Sequence, residues 1–276
     1  MNAEPIGLIA GRGRFPILFA QKAHAIQRPV ICLGISGLAR KEDFLPYVQD
    51  FIWVRLGALN KPIRSFRKAG VKRYTMAGKI DKTILYSPFW FIRLMPDLRM
   101  IRWWFFGRKR DNRDDSILSG IIGEYEKEGL HCESALDTCP ELLVKPGIHT
   151  KRKPTASEEA DIRFGWEIAK EMGRLDIGQS VMVHDAAVIA VEAIEGTDEA
   201  ILRAGTLSKR GFTVVKVAKP QQDMRFDVPT VGEKTIETIH KAGGRVLAIE
   251  AGKTIILDVE ATTALADRYG IVIQAL

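Results

Sequence analysis

The chain has 276 residues, of which 46% are hydrophobic, and this fraction excludes a largely disordered protein. Its formal net charge of +7 favours an anionic partner, such as a phosphate-bearing ligand, a nucleic acid or an acidic lipid surface. The three cysteines show no metal-type spacing, so we expect reduced thiols in a cytoplasmic protein that carries no signal peptide.

Short apolar runs alternate with helical patterns in the first half of the chain. A helix is predicted after the first run, where Pro16 suits the first helical turn because its missing N–H costs nothing there. Such alternation is typical of a parallel, Rossmann-like sheet with helices on its faces. We therefore predict an N-terminal domain of this type at residues 1–145. Its strands are expected at residues 6–10, 30–33, 51–54 and 71–77.

A segment rich in aromatic and basic side chains interrupts this alternation at residues 89–106. It is too short and too charged to cross a bilayer. Three interpretations are open: a buried helix pair, a nucleic-acid surface on which aromatic and arginine side chains stack against bases, or an element lying on a lipid surface. We favour the lipid surface, because that signature includes both the aromatic and the cationic residues, and we expect no nucleic-acid partner.

The second half of the chain opens with a basic run between Pro146 and Pro154 that is typical of a linker. A long helix is predicted at about 157–172, and two apolar strands then flank a turn at His184–Asp185. Short strands and helices follow, so we expect a C-terminal α/β domain with a mixed sheet at residues 146–276. Its further strands are expected at 214–217, 246–249, 254–257 and 271–273, and its further helices at 201–204, 235–242 and 262–266.

A glycine-rich turn follows the first strand. Gly11 and Gly13 would let backbone N–H groups approach an anion at the start of a helix. Pro16 stands where a dinucleotide fingerprint has its third glycine, and the second strand ends at Leu33 with no acid to hold a ribose. The turn therefore favours contact with a phosphate-bearing ligand over NAD binding, and a purely structural strand-to-helix turn stays an alternative.

Two acidic segments lie in the second half. Glu192, Glu195 and Asp198 lie around the turn at 195–198 that follows an apolar strand, and helix capping alone would explain only one of these three acids. Residues 216–227 place carboxylates, cations and an amide almost without spacers, with Pro220 and Pro229 arguing against a helical salt-bridge face. Carboxylates bind Mg²⁺ or Mn²⁺ through oxygen, and Lys or Arg offsets phosphate charge. These segments therefore predict a site that handles both a metal ion and a phosphate.

The motifs taken together resemble those of the LpxI type of UDP-2,3-diacylglucosamine pyrophosphatase, and the resemblance runs over almost the whole chain. The most specific parts are the segments 191–198 and 219–229, together with Gly232. The glycine opening alone would not be specific. Further matching segments are Gly11 to Pro16, Ala77 to Lys79, Asp114-Asp115 and Leu175 to Ser180.

The resemblance implies a two-domain clamshell with the substrate between a Rossmann-like domain and a C-terminal α/β domain. It implies hydrolysis of UDP-2,3-diacylglucosamine to UMP and 2,3-diacylglucosamine 1-phosphate (lipid X) in lipid A biosynthesis, with Mg²⁺ or Mn²⁺. The site expected on these grounds has the catalytic residues Asp223, Asp227, Lys219 and Arg225, the substrate-binding residues Gly11, Gly13, Gly78, Lys79, Gln179, Gly196, Thr197 and Gln222, and the metal ligands Asp223, Asp227, Asp198 and Glu195.

Asp223 is the preferred catalytic carboxylate, as metal ligand or water-orienting base, with Lys219 and Arg225 stabilising the diphosphate. Residues 89–106 would hold the acyl chains or contact the cytoplasmic face of the inner membrane. A nucleotide-binding oxidoreductase and a non-catalytic lipid-binding protein are the alternatives. The sequence does not decide the oligomeric state, and a homo-oligomer stays open.

Overall fold

The computed structural model describes residues 4–80, 94–107, 114–208 and 210–276, with the backbone alone for 114–116. The chain divides into two compact units, Met1–Pro140 and Glu141–Leu276. The division falls a few residues before the boundary that we placed between 145 and 146.

The first unit is built on a five-stranded sheet whose strands are all parallel. The spatial order is β3-β2-β1-β4-β5, so the chain moves outward on one side of β1 and then crosses to the other side. This order is that of a Rossmann-like sheet and confirms the predicted architecture of the unit. The strands are β1 (Ile6–Ala10), β2 (Val30–Ile35), β3 (Asp50–Val54), β4 (Arg73–Ala77) and β5 (His131–Cys132).

Helices cover this sheet and close its core. Pro16 lies in the first turn of α1, as expected. Tyr74 of β4 stacks on Tyr125 with ring centroids 4.7 Å apart, and Trp103 packs into the same core. A Cβ on Gly120 would lie 2.4 Å from the Trp103 ring, so glycine makes room for the indole. The helices are α1 (Phe15–Ala25), α2 (Asn60–Lys68), α3 (Leu98–Arg102) with a π-helical turn at Trp103–Gly107, and α4 (Asp114–Glu126).

The second unit contains a mixed six-stranded sheet in the order β6-β13-β11-β9-β7-β8, which confirms the expected sheet type. The three central strands β13, β11 and β9 are parallel, whereas β6, β7 and β8 run antiparallel to their neighbours. Its strands are β6 (Gly147–Ile148), β7 (Ser180–His184), β8 (Ala187–Val191), β9 (Thr213–Lys216), β11 (Val246–Ile249) and β13 (Val272–Ala275), and a separate parallel pair is formed by β10 (Thr230–Val231) and β12 (Ile255–Ile256).

Helices pack on both faces of the six-stranded sheet. Helix α5 begins with a capping box between Thr155 and Glu158 and covers one face through Ile162 and Ala169. Helices α6, α7 and α8 cover the opposite face, so both sheet faces are buried. The helices are α5 (Ala156–Arg174), α6 (Thr197–Leu207), α7 (Glu233–Ala242) and α8 (Val259–Tyr269).

The linker predicted between Pro146 and Pro154 is wrong in its first part. Gly147 and Ile148 form β6 and pair with β13 at the edge of the sheet. His149 and Lys151 continue this attachment through backbone hydrogen bonds to Ile273 O and to the Asp267 carboxylate. Proline and basic residues suggested a free segment, but an edge strand also tolerates them because one side of it needs no hydrogen-bond partner.

None of the helices in the described part of the chain combines the length and the apolar character that crossing a bilayer requires.

Candidate active site

The glycine turn that follows β1 packs against the turn that follows β4. Gly11 donates a backbone hydrogen bond to Ala77 O at 2.9 Å, and Arg12 and Lys79 exchange two more at 3.0 and 2.8 Å. Gly78 has a φ of 97°, and a Cβ there would lie 2.9 Å from Arg12 O. Glycine is therefore what allows the two turns to approach this closely.

These turns lie at the switch point of the first sheet, where β1 separates β2 from β4. Open α/β sheets bind ligands at the carboxyl ends of their strands at such a point. Gly13 follows with a φ of 108°, and the space where a Cβ would stand is open among the described residues. The structure thus brings Gly11, Gly78 and Lys79 together, with Gly13 beside them, where a nucleotide would be expected.

The loop at 219–229, between β9 and β10, is irregular, as its prolines predict. At its start, Lys219 Nζ forms an ion pair with Asp176 Oδ1 at 2.5 Å, and the two side chains are only 7% and 14% exposed. Gln222 folds back on the loop: its Oε1 accepts from Lys219 N at 2.8 Å, and its Nε2 donates to Asp227 Oδ2. Hydrogen bonds among its own polar groups and a buried ion pair with Asp176 therefore help to fix the shape of the loop.

A second anchor lies directly before this loop. Glu250 Oε2 accepts from the backbone N–H of Ala218 at 2.8 Å and from Lys170 Nζ at 2.5 Å, while Lys170 also donates to Ala218 O at 3.0 Å. Lys253 Nζ lies 3.0 Å from the other carboxylate oxygen. Burial raises the pKa of Glu250, but these hydrogen bonds and charges outweigh burial and hold it below its ordinary value.

Within the loop, Asp223 is held by Arg225. The Arg225 side chain donates to both carboxylate oxygens, at 2.7 Å from Nη2 to Oδ2 and 3.0 Å from Nε to Oδ1, and its backbone N–H also donates to Oδ1. Hydrogen bonding to the Arg225 side chain is the largest cause that lowers the pKa of Asp223, and partial burial opposes it. Asp223 is therefore ionised at neutral pH.

The other acidic segment forms the turn into α6. Gly196 precedes the helix with a φ of 85°, and Thr197 is its first residue. Glu195 Oε1 accepts from Arg203 at 2.7 Å, and Asp198 lies 2.9 Å from the exposed Lys234 ammonium. Burial raises the pKa of Glu195, but backbone hydrogen bonds and Arg203 outweigh it and lower the pKa overall. The acids here are thus paired, not simply caps.

The four acids predicted as metal ligands do not form a ready-made cage. Among the described residues, no group of three His, Cys, Asp or Glu side chains is placed to hold one ion. Asp223 and Asp227 lie in one loop, while Glu195 and Asp198 lie in another, and each has a partner within the chain. Carboxylates nevertheless suit Mg²⁺, which is commonly held by one or two of them together with substrate phosphates. The donor set fits a metal that arrives with a diphosphate.

Gln179, predicted to bind substrate, lies just before β7 and accepts a hydrogen bond from Val217 N through its backbone oxygen. Its side-chain Oε1 is buried and has no hydrogen-bond partner among the described residues. Gln179 therefore lies beside the end of β9, close to where the 219–229 loop begins.

Four further residues shape this region: Asp176, Glu192, Lys170 and Glu250. Asp176 and Glu192 lie inside segments that carry the family resemblance, and the sequence marks both as candidates for ligand contact. Lys170 and Glu250 carry no such signal, because their pairing spans 80 residues and depends on the tertiary fold.

The fold and these loops define a two-unit α/β protein with a glycine-lined, nucleotide-type sheet edge in one unit and a loop of paired charges in the other. The sequence model of the LpxI N-terminal domain matches residues 5–142, and that of the LpxI C-terminal domain matches residues 145–274. A protein of Caulobacter vibrioides named UDP-2,3-diacylglucosamine pyrophosphatase LpxI is 32% identical over 279 residues, covering 96% of this chain and 95% of that protein. The chain belongs to the LpxI family.

Proposed function

We propose that this protein hydrolyses the pyrophosphate of UDP-2,3-diacylglucosamine to UMP and 2,3-diacylglucosamine 1-phosphate (lipid X) in lipid A biosynthesis. The match to both family domains and the name of the Caulobacter relative support this substrate. Neither an oxidoreductase nor a non-catalytic lipid-binding protein receives support from these matches. The observation that carries the proposal is the 219–229 loop, where Asp223 is kept ionised by Arg225 beside Gln222 and Asp227.

A pyrophosphate resists water because its negative oxygens repel a nucleophile, so the site must supply positive charge and orient the water. Of the two cations in the loop, Arg225 is the more exposed, with 41% of its side chain accessible, whereas Lys219 is 7% exposed and pairs with Asp176. We therefore assign contact with the diphosphate to Arg225. Lys219 acts by holding the loop in place.

Mg²⁺ or Mn²⁺ would be held by Asp223 and Asp227 together with phosphate oxygens of the substrate, with Glu195 and Asp198 as further acids of the proposed set. When bound, the ion supplies positive charge that offsets the diphosphate. Because the pKa of Asp223 is lowered, this carboxylate is a weak proton acceptor near pH 7, which favours a role as metal ligand or water-orienting group.

Release of UMP from UDP-2,3-diacylglucosamine tests the activity and the site together. With Mg²⁺ present, wild-type protein is expected to release UMP, and Asp223→Asn to reduce kcat by about 10²–10³-fold, as loss of a transition-state interaction does in other hydrolases. Glu171→Gln is the matched control, because Glu171 is an exposed acid paired with Arg174 on α5. Chelation by EDTA should abolish turnover, and added Mg²⁺ should restore it.

Different results would remove different parts of the proposal. No UMP release by the wild type would overturn the function. Undiminished release by Asp223→Asn would overturn the site, and turnover that persists in EDTA would overturn the metal dependence.

The described end of the aromatic segment supports contact with the inner-membrane surface. Trp103 is anchored in the core, while Leu98, Phe105 and Phe106 are 81%, 67% and 87% exposed on the same short stretch. The adjoining Arg102 is exposed and basic. Apolar tips flanked by cations are typical of an element that lies on an anionic lipid surface. The part of this segment before 94 lies outside the described residues.

Co-sedimentation with vesicles containing anionic phospholipid checks this contact. Phe105→Ser/Phe106→Ser is expected to weaken binding about 100-fold or more, since each buried aromatic side chain contributes roughly 1.5–3 kcal/mol. Phe164→Ser, at an exposed phenylalanine of the other unit, is the control and should bind as the wild type does. Equal binding by the double variant and the wild type would sink the membrane contact without touching the proposed activity.

A further inference from the structure

Three polar side chains meet beneath the start of α6. Lys216 Nζ, at the end of β9, donates to Thr197 Oγ1 at 3.1 Å, and Thr197 Oγ1 donates to Glu192 Oε1 at 2.8 Å. Lys216 and Glu192 are 7% and 9% exposed. Burying a charged group costs free energy unless the group is well paired, so this buried group of three hydrogen-bonded side chains calls for an explanation.

The register of the sheet explains why these residues meet. Lys216 lies opposite Ser180, and Glu192 N donates to Ser180 O from the other side, so the three residues share one sheet face. Two residues along β7, Met182 occupies the same face and packs in the core that α6 covers. At the end of the sheet where α6 begins, the hydrogen-bonded side chains of Lys216, Thr197 and Glu192 therefore take the place of apolar core residues.

The chemistry of the three side chains fixes the direction of both hydrogen bonds that link Lys216, Thr197 and Glu192. An ammonium can only donate and a carboxylate can only accept. The Thr197 hydroxyl must therefore direct a lone pair at Lys216 and its proton at Glu192. Valine would keep the shape of Thr197 but break both bonds, whereas serine would keep both.

The hydrogen bonds among Lys216, Thr197 and Glu192 connect the two loops on which the proposed activity depends. Thr197 belongs to the turn at 195–198, and Lys216 stands three residues before Lys219, where the 219–229 loop begins. We propose that Lys216 is a positioning residue that, through Thr197 and Glu192, fixes the 195–198 turn relative to the 219–229 loop for substrate binding. This inference rests on the proposed function.

The consequence is kinetic. If the turn at Gly196 and Thr197 binds substrate, displacing this turn weakens substrate binding equally in the ground state and in the transition state. Such a loss raises KM and leaves kcat nearly unchanged. We expect Lys216→Met and Thr197→Val each to raise the KM for UDP-2,3-diacylglucosamine about tenfold, equivalent to about 1.4 kcal/mol. The KM of the double variant should be no higher than that of Lys216→Met alone, because both substitutions break the same set of hydrogen bonds.

Steady-state kinetics and urea unfolding of the same variants test the inference. Thr197→Ser should lower KM from the Thr197→Val value back toward that of the wild type. Thr238→Val is the matched control: Thr238 is a buried threonine whose hydroxyl donates to Lys234 O within α7, so the variant should lose stability without a change in KM.

Two results would overturn the inference: unchanged KM in both variants despite lower stability, or additive effects in the double variant. Absence of UMP release by the wild type would instead overturn the proposed function. Binding of UDP-2,3-diacylglucosamine by calorimetry would then decide the inference, since equal affinity of wild type and Lys216→Met contradicts it and a weaker variant supports it.

Discussion

At the scale of single residues, the pairing of Asp223 with Arg225 decides what the carboxylate can do. A guanidinium that donates to both oxygens stabilises the ionised form and lowers the pKa. Such a carboxylate is a poor base but a good ligand. In the proposed mechanism Asp223 would exchange part of its bonding with Arg225 for bonding to the metal ion, and Arg225 would then face the diphosphate.

Removing Arg225 should move the pH dependence of the enzyme. In Arg225→Gln the pKa of Asp223 is expected to rise towards the ordinary aspartate range, so the acidic limb of kcat/KM shifts to higher pH. Rates of UMP release between about pH 3 and pH 7 provide the measurement, in a range that spans the ordinary carboxyl pKa values. Arg174→Gln, at an exposed arginine paired with the exposed Glu171, should leave the limb in place. An unmoved limb in Arg225→Gln would show that Asp223 does not control it.

At the scale of elements, the 219–229 loop is held at its origin by two charge pairs. Lys219–Asp176 connects it to the end of α5, and Lys170–Glu250 connects the backbone of Ala218 to the turn after β11. A loop with little regular hydrogen bonding gains its fixed geometry from such anchors, because they offset the entropy of ordering it.

The Glu250 anchor should make stability depend on pH in the acid range. The pKa of Glu250 is lowered in the folded protein, so its ionised form adds stability above the unfolded pKa, and this contribution is lost as pH falls through the folded pKa. Glu250→Gln is expected to cost about 1–3 kcal/mol at pH 7 and progressively less below about pH 4. Urea unfolding at both pH values checks this. The exposed Glu171→Gln should change neither, and a cost that is constant with pH would contradict the assignment.

The sequence predicted the regular elements better than the contacts between loops. Apolar runs located β1 and β11 at their observed bounds, because a buried strand needs little besides such a run. Helix α6 was expected around 201–204 with Thr197 or Asp198 as its cap, and it spans Thr197–Leu207, because apolar periodicity marks its buried face while the turn at Gly196 sets its start. The Lys219–Asp176 pair joins residues 43 positions apart, so no local pattern could indicate it. The metal-ligand assignment stays a prediction.

At the scale of the whole molecule, each unit carries its own core. Among the described residues, the apolar clusters around Val214 and Val215 draw on residues between Val144 and Ala275, and the six strands of the main sheet of the second unit lie in the same range of the chain. The described members of the core around Tyr74 and Tyr125 belong to the first unit. Units with separate cores fold independently in the general case.

The fragment Glu141–Leu276 is therefore expected to fold alone but not to turn over substrate. Its core is complete, so it should unfold cooperatively on heating and give dispersed amide resonances in NMR spectra. The glycine turns at Gly11 and Gly78, which we propose bind the nucleotide, are missing from it, so UMP release should fall below detection. A folded fragment that keeps the kcat/KM of the full chain would refute the nucleotide role of these turns, and a fragment that does not fold would refute the independence of the second unit.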